Sequence, residues 1–159
     1  MLPKEIKIPS EMISMVNTLA AAPEEKRRSM LQSHLRKFID MPEEKRVGEM
    51  ATMIRAVSTL DAPRKEALIK SRVACLCDDF DEPERKKLVA THIRALQEVP
   101  RDVREADIRS LFNAIPRLED EHRRVTLITM RNVLLEAPER QRMEIVNLIP
   151  EETREILGV

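Results

Sequence analysis

Prolines divide this chain at near-regular intervals: Pro23, Pro42, Pro63, Pro83, Pro100, Pro116 and Pro138 recur every 16 to 22 residues, each followed by charged and then apolar residues. Proline has a fixed φ and no amide hydrogen, so it is tolerated in the first turn of a helix and breaks a helix interior. Each proline is therefore read as a helix start, and the chain as a series of helices of similar length. Three linkers share one spelling: Asp40-Met41-Pro42-Glu43, Asp61-Ala62-Pro63-Arg64 and Asp81-Glu82-Pro83-Glu84. An aspartate two residues before the proline is placed to accept from the free amides of the first turn, so all three are expected to be side-chain caps.

Between the prolines the apolar residues fall at helical spacing, as in Met30, Leu31, Leu35 and Phe38 or Leu88, Val89, Ile93 and Leu96. The segment Val125 to Leu135 is apolar around most of its circumference, which predicts packing on two sides. Gly occurs twice, Tyr and Trp not at all and Phe three times, a composition suited to helices rather than hairpins. The expected fold is all-α: one domain over residues 1–159, a right-handed superhelical solenoid of antiparallel helices. About seven long helices are expected, with Pro150–Val159 as a short polar cap. A compact helical bundle is the competing architecture.

Lys plus Arg equals Asp plus Glu at 28 each, so the chain as a whole carries no field that would draw a polyanion or an acidic membrane. No apolar run is long enough to span a bilayer, and Met1–Pro9 lacks the apolar core of a leader, so a cytoplasmic protein without membrane contact is expected. Cys75 and Cys77 are too close in sequence to staple distant parts of a fold, and reduced thiols are expected.

The linker pattern apolar-x-x-Pro-Glu-Glu-Lys-Arg, which runs from Ile39 to Arg46 and, with one extra residue, from Leu19 to Arg28, resembles superhelical helical-repeat domains. Examples are HEAT-type repeats and the cytosolic helical domain of MgtE-type magnesium transporters. The resemblance covers most of the chain and implies a docking or sensing surface. It transfers no site residue.

The most suggestive internal pattern is an arginine in mid-helix: Arg36, Arg55, Arg94, Arg109 and Arg131, with Arg72 a possible sixth. Stacked repeats align equivalent positions, so these guanidiniums are expected either to form a ladder that grips carboxylates or phosphates, or to pair with acids of the next helix. The expected partner is an unidentified protein or acidic peptide. Phosphate or nucleic-acid binding by the same ladder is the alternative, but with no Tyr or Trp, base stacking is not available to support it.

His34 and His92 stand in apolar rows and are read as structural, and His122 as part of a solvated helix start. Cys75, Cys77 and Asp78 are suitable ligand types for a metal sensor, but residues two apart on a helix diverge. Cys77 is expected on the apolar stripe and Cys75 facing away. No glycine-rich phosphate loop or nucleophile motif occurs, so neither a cofactor nor catalysis is expected.

Overall fold

The computed structural model describes residues 7–159. The first six residues, part of the stretch read above as lacking a leader's core, lie outside the described residues. Among the described residues every regular element is helical. The helices are α1 (Ser10–Ala21), α2 (Glu24–Ile39), α3 (Glu43–Ser58), α4 (Ala62–Asp79), α5 (Glu82–Leu96), α6 (Arg101–Ala114), α7 (Asp120–Glu136), α8 (Glu139–Val146) and α9 (Glu151–Leu157). A single 3-10 turn, Ile115–Arg117, follows α6. No helix among the described residues is long and apolar enough to cross a membrane.

Proline starts these helices in two registers, except α7, whose N-cap is Glu119; Pro116, expected to start a helix, lies in the 3-10 turn before it. Pro23, Pro42, Pro100, Pro138 and Pro150 are N-caps in extended backbone, and none supplies a side-chain cap. At α4 and α5 the proline lies inside the first turn and an aspartate is the N-cap. Asp61 accepts from the Arg64 amide, and Asp81 accepts from the Glu84 amide while the Glu84 carboxylate accepts from the Asp81 amide. Asp40 therefore departs from its expected role. It ends α2 in helical backbone because α3 begins right after Pro42, which puts the aspartate out of reach of the new helix's free amides.

Connections of two to five residues join successive α-helices at their ends, and the broad packing is between helices two apart. The series α1, α3, α5, α7, α9 packs in order, as do α2, α4 and α6, and the rows meet where α1 and α7 touch α4 and where α3 touches α6. The expected side-by-side return of each helix against the one before is thus a minor contact; among consecutive α-helices, α1 with α2 is the most developed. The core runs along the seam between rows, from Val16 and Leu19 through Ile54, Val73 and Leu88 to Leu134. All three phenylalanines are buried in it.

A polar device closes each corner. The fourth residue after the N-cap is basic in every helix from α2 to α9: Arg27, Arg46, Lys65, Arg85, Arg104, Arg123, Arg142 and Arg154, each amide bonded to its N-cap carbonyl at 2.8–3.0 Å. From α2 to α8 this residue recurs every 19 or 20 positions. Several of these side chains turn back to the unsatisfied carbonyls at the end of the preceding helix, which also complements that helix's negative dipole end. Arg27 donates to the Ala20 and Ala22 carbonyls, Arg46 to Met41, Arg85 to Phe80 and Arg104 to Leu96.

The same guanidinium can reach two helices ahead. Arg27 Nε donates to Ser71 on α4 at 2.8 Å, and Arg46 Nε to Thr91 on α5 at 2.9 Å, all four residues being buried. A hydroxyl occupies this tenth position after the N-cap in every helix from α2 to α7: Ser33, Thr52, Ser71, Thr91, Ser110 and Thr129. Arg85 Nε is buried without a partner, although Thr129 holds the corresponding place on α7. Lys65 makes neither bond and instead lines an internal cavity.

Candidate functional site

Where the brace lapses, at α4, three charged or polar side chains from three helices converge inside the fold. His92 on α5 bonds Asp107 on α6 through Nε2 at 2.8 Å, and Arg72 on α4 lies 3.5 Å from His92 Nδ1. Nε2–H donates to the carboxylate in either charge state of the ring, and Nδ1 accepts from the guanidinium when the ring is neutral. Both His92 and Asp107 retain less than a fifth of their side-chain exposure. Burial alone pushes the Asp107 carboxyl up, but the charge and hydrogen bond of His92 and the charge of Arg72 outweigh it and hold the group below its ordinary value. Burial pulls Arg72 down, and the more distant Asp107 charge only partly offsets this.

Two cavities flank the triad and share Arg72 and Asp107 as wall. One, of about 80 Å³, lies among Val16, Leu31, Leu35, Met53, Leu68 and Leu111. The other, of about 90 Å³, lies among Leu76, Leu88, Ile93, Phe112, Met130 and Leu134. His34 lines the first, stacked on Phe38, and burial pulls its pKa down against the opposing charge of Glu49.

These shifts set a pH dependence. A histidine whose folded value is depressed takes up its proton more readily when unfolded, so stability falls as pH drops below about 6.5. A depressed aspartate contributes stability that is present above its unfolded value and lost as pH falls through about 4. Thermal melts from neutral pH downward are expected to show two successive losses. His34→Gln removes much of the upper one, and Asp107→Asn reduces the lower, to which Glu66 beside Arg117 and Glu121 beside Arg124 also contribute. An unchanged upper slope in His34→Gln would overturn the assignment.

The six arginines singled out in the sequence do not form one row. Arg36, Arg55 and Arg94 each stand thirteen residues after their N-caps, Pro23, Pro42 and Asp81. Arg72 and Arg131 stand eleven and twelve after Asp61 and Glu119 and so point to other faces, while Arg109, nine after Pro100, lies one turn earlier on about the same face. Arg36 covers the Phe80 ring at 4.1 Å and bonds Glu84 and the Asp79 carbonyl. Arg55 donates to the Glu98 carbonyl at 3.0 Å, and Arg94 pairs with Glu43 at 2.6 Å. A ladder of free guanidiniums is therefore not what the first three make. Arg109 and Arg131 are exposed and have neither an ion pair nor a hydrogen bond among the described residues.

Helix α4 continues to Asp79, so the two thiols diverge, in the opposite sense to that expected. Cys75 is fully buried against the Arg28 carbonyl, while Cys77 is partly exposed and faces His122 and Thr126 on α7. Burial raises both thiol pKa values. Asp78 is occupied by Arg28 and His122. No group of three or more His, Cys, Asp or Glu among the described residues could hold a metal ion.

Helix α7 also departs from expectation. Met130, Val133 and Leu134 are buried, but Ile128 and Leu135 remain nearly half exposed, with Arg131 on the same stripe between them. The face turned out is one the sequence assigned to packing. Alongside, α9 packs on α7 and buries Leu157 but leaves Ile156 70% exposed. Gly158, at φ 71°, lets the end of α9 turn close to the Arg131 guanidinium.

Compared with family models, curated proteins and solved structures, the chain matches none.

Proposed function

We propose that this chain is a non-catalytic interaction module, a right-handed superhelical stack of helical repeats that docks an acidic, partly apolar segment of a partner protein on the outer face of α7. The repeat reading is supported by the basic residue and hydroxyl that recur in each helix and by packing between helices two apart. One observation carries the docking reading: Ile128, Arg131 and Leu135 stand exposed on one stripe of α7, with Arg131 unpaired among the described residues and Ile156 also exposed on the adjoining α9. Apolar anchors around an arginine without a counter-ion favour a segment that brings both apolar side chains and a carboxylate. The role assigned in the sequence to the mid-helix arginines passes in this reading to Arg131.

The test is quantitative affinity capture from the cells that make the protein, comparing wild type with an Arg131→Glu, Leu135→Asp double variant of matched melting temperature. Partners with acidic apolar segments are expected to fall about tenfold or more. Undiminished recovery of every partner would overturn the assignment.

A further inference from the structure

Among the described residues the large apolar side chains left exposed all belong to the last three α-helices: Ile128 and Leu135 on α7, Met143 on α8 and Ile156 on α9. Between the first two stands Arg131, at a register that is otherwise core. The residue twelve after the N-cap is Leu35, Ile54, Val73, Ile93 and Phe112 in α2 to α6, each buried, and in α7 it is this exposed arginine. An unpaired charge is too costly to bury, so whatever covers this stripe must bring a counter-charge with its apolar side chains.

The chain itself carries a segment of that chemistry. Helix α9 buries Leu157 and packs on α7, while Glu152 and Ile156, one helical turn apart, share an outer face with Glu151 and Glu155 beside them. All four are exposed, and the three glutamates have no ion pair among the described residues. Gly158 lies against the Arg131 guanidinium, so the end of α9 adjoins the stripe, yet Arg131 pairs with none of these acids within its own chain. We infer that the partner docked on α7 is a second copy of this chain. Across a twofold axis α9 of each copy lies on the α7 stripe of the other, with Ile156 against Ile128 and Leu135 and with Glu152 opposite Arg131. This inference rests on the docking reading of α7 and names its occupant.

The available surfaces select the symmetry. A head-to-tail stack needs an apolar face on the first helices to receive the last, and among the described residues α1 and α2 expose no large apolar side chain. A twofold contact uses one patch on both copies, so each charge pair and each apolar contact forms twice and the assembly closes at two. Three apolar side chains from each copy make a small contact, which suits a reversible dimer rather than a permanent one.

Sedimentation velocity of the full chain between about 1 μM and about 1 mM is expected to show monomer giving way to dimer. Arg131→Glu and Glu152→Arg, both at exposed positions, are each expected to weaken the dimer about tenfold, because like charges then face one another twice. Their equimolar mixture re-forms both opposite-charge pairs and is expected to return to near wild-type affinity. Ile156→Asp, at a side chain 70% exposed, is expected to abolish the dimer without moving the melting temperature. A wild type monomeric up to about 1 mM, a dimer undiminished by Ile156→Asp, or a mixture that associates no better than its components would each overturn the inference. If the wild type stays monomeric while the Arg131→Glu, Leu135→Asp double variant still loses captured partners, only the choice of occupant fails. If that double variant keeps both its dimer and its partners, the docking reading fails with it.

Discussion

Asp107→Ala is expected to destabilise the fold by about 3 kcal/mol, the low end for breaking an enclosed charge pair. The variant strands Arg72, whose charge is already disfavoured by burial, and leaves the His92 Nε2–H without its acceptor. The low end is appropriate because His92 and Asp107 keep 12% and 16% of their side-chain exposure, enough for some solvent screening. Asp107→Asn, which keeps an acceptor but not the charge, is expected to lose less. Replacing both ends, Arg72→Met with Asp107→Leu, is expected to recover much of the loss, because no charge is then left uncompensated. Urea unfolding at neutral pH measures all three, with the midpoint moving and the slope constant. A loss below about 1 kcal/mol in Asp107→Ala would mean that the triad is no internal charge balance.

Arg46→Met is expected to cost a similar amount, about 3 kcal/mol, from two bonds of a buried guanidinium lost together. The Met41 carbonyl at the end of α2 and the Thr91 hydroxyl on α5 each lose a charged donor. Arg123 tests the cause because it holds the same register on α7 but bonds only Asp120 on its own first turn, with its side chain 37% exposed. Arg123→Met is expected to change stability by less than about 0.5 kcal/mol. Thr91→Val should cost about 1 kcal/mol alone and little more when combined with Arg46→Met, since both break the same bond. Full additivity, or equal losses at 46 and 123, would show that register rather than the brace sets the effect.

Helix boundaries were legible because proline acts locally: a fixed φ and a missing amide stop and start a helix whatever surrounds it. The apolar stripes were legible for the same reason, and Phe38, Leu88 and Ile93 are buried where their spacing put them. Reading every proline in one register was the limit of that approach. Pro42 is an N-cap and Pro63 is inside a first turn, which is why Asp61 caps and Asp40 does not. The corner arginines were missed, although the spacing Pro-x-x-x-Arg occurs at Pro23–Arg27, Pro42–Arg46, Pro100–Arg104 and Pro138–Arg142. Attention to mid-helix arginines instead joined residues from different faces, such as Arg72 and Arg36.

The triad was not legible at all. Arg72, His92 and Asp107 share no motif, and they meet only because helices two apart pack while a third crosses from the other row. Nor did local pattern show that α7 keeps Ile128 and Leu135 outside, since hydrophobic periodicity records what can be buried and says nothing of whether a neighbour exists.

The hydroxyl at the tenth position recurs on odd and even helices alike, so the two rows obey a single code. Duplicating one nineteen-residue unit would supply both a donor for the corner behind it and an acceptor for the helix two places back, without needing a hairpin partner. In the repeat stack proposed above, length could then be added one rod at a time, and reach adjusted in steps half as large as those open to a fold that grows by pairs.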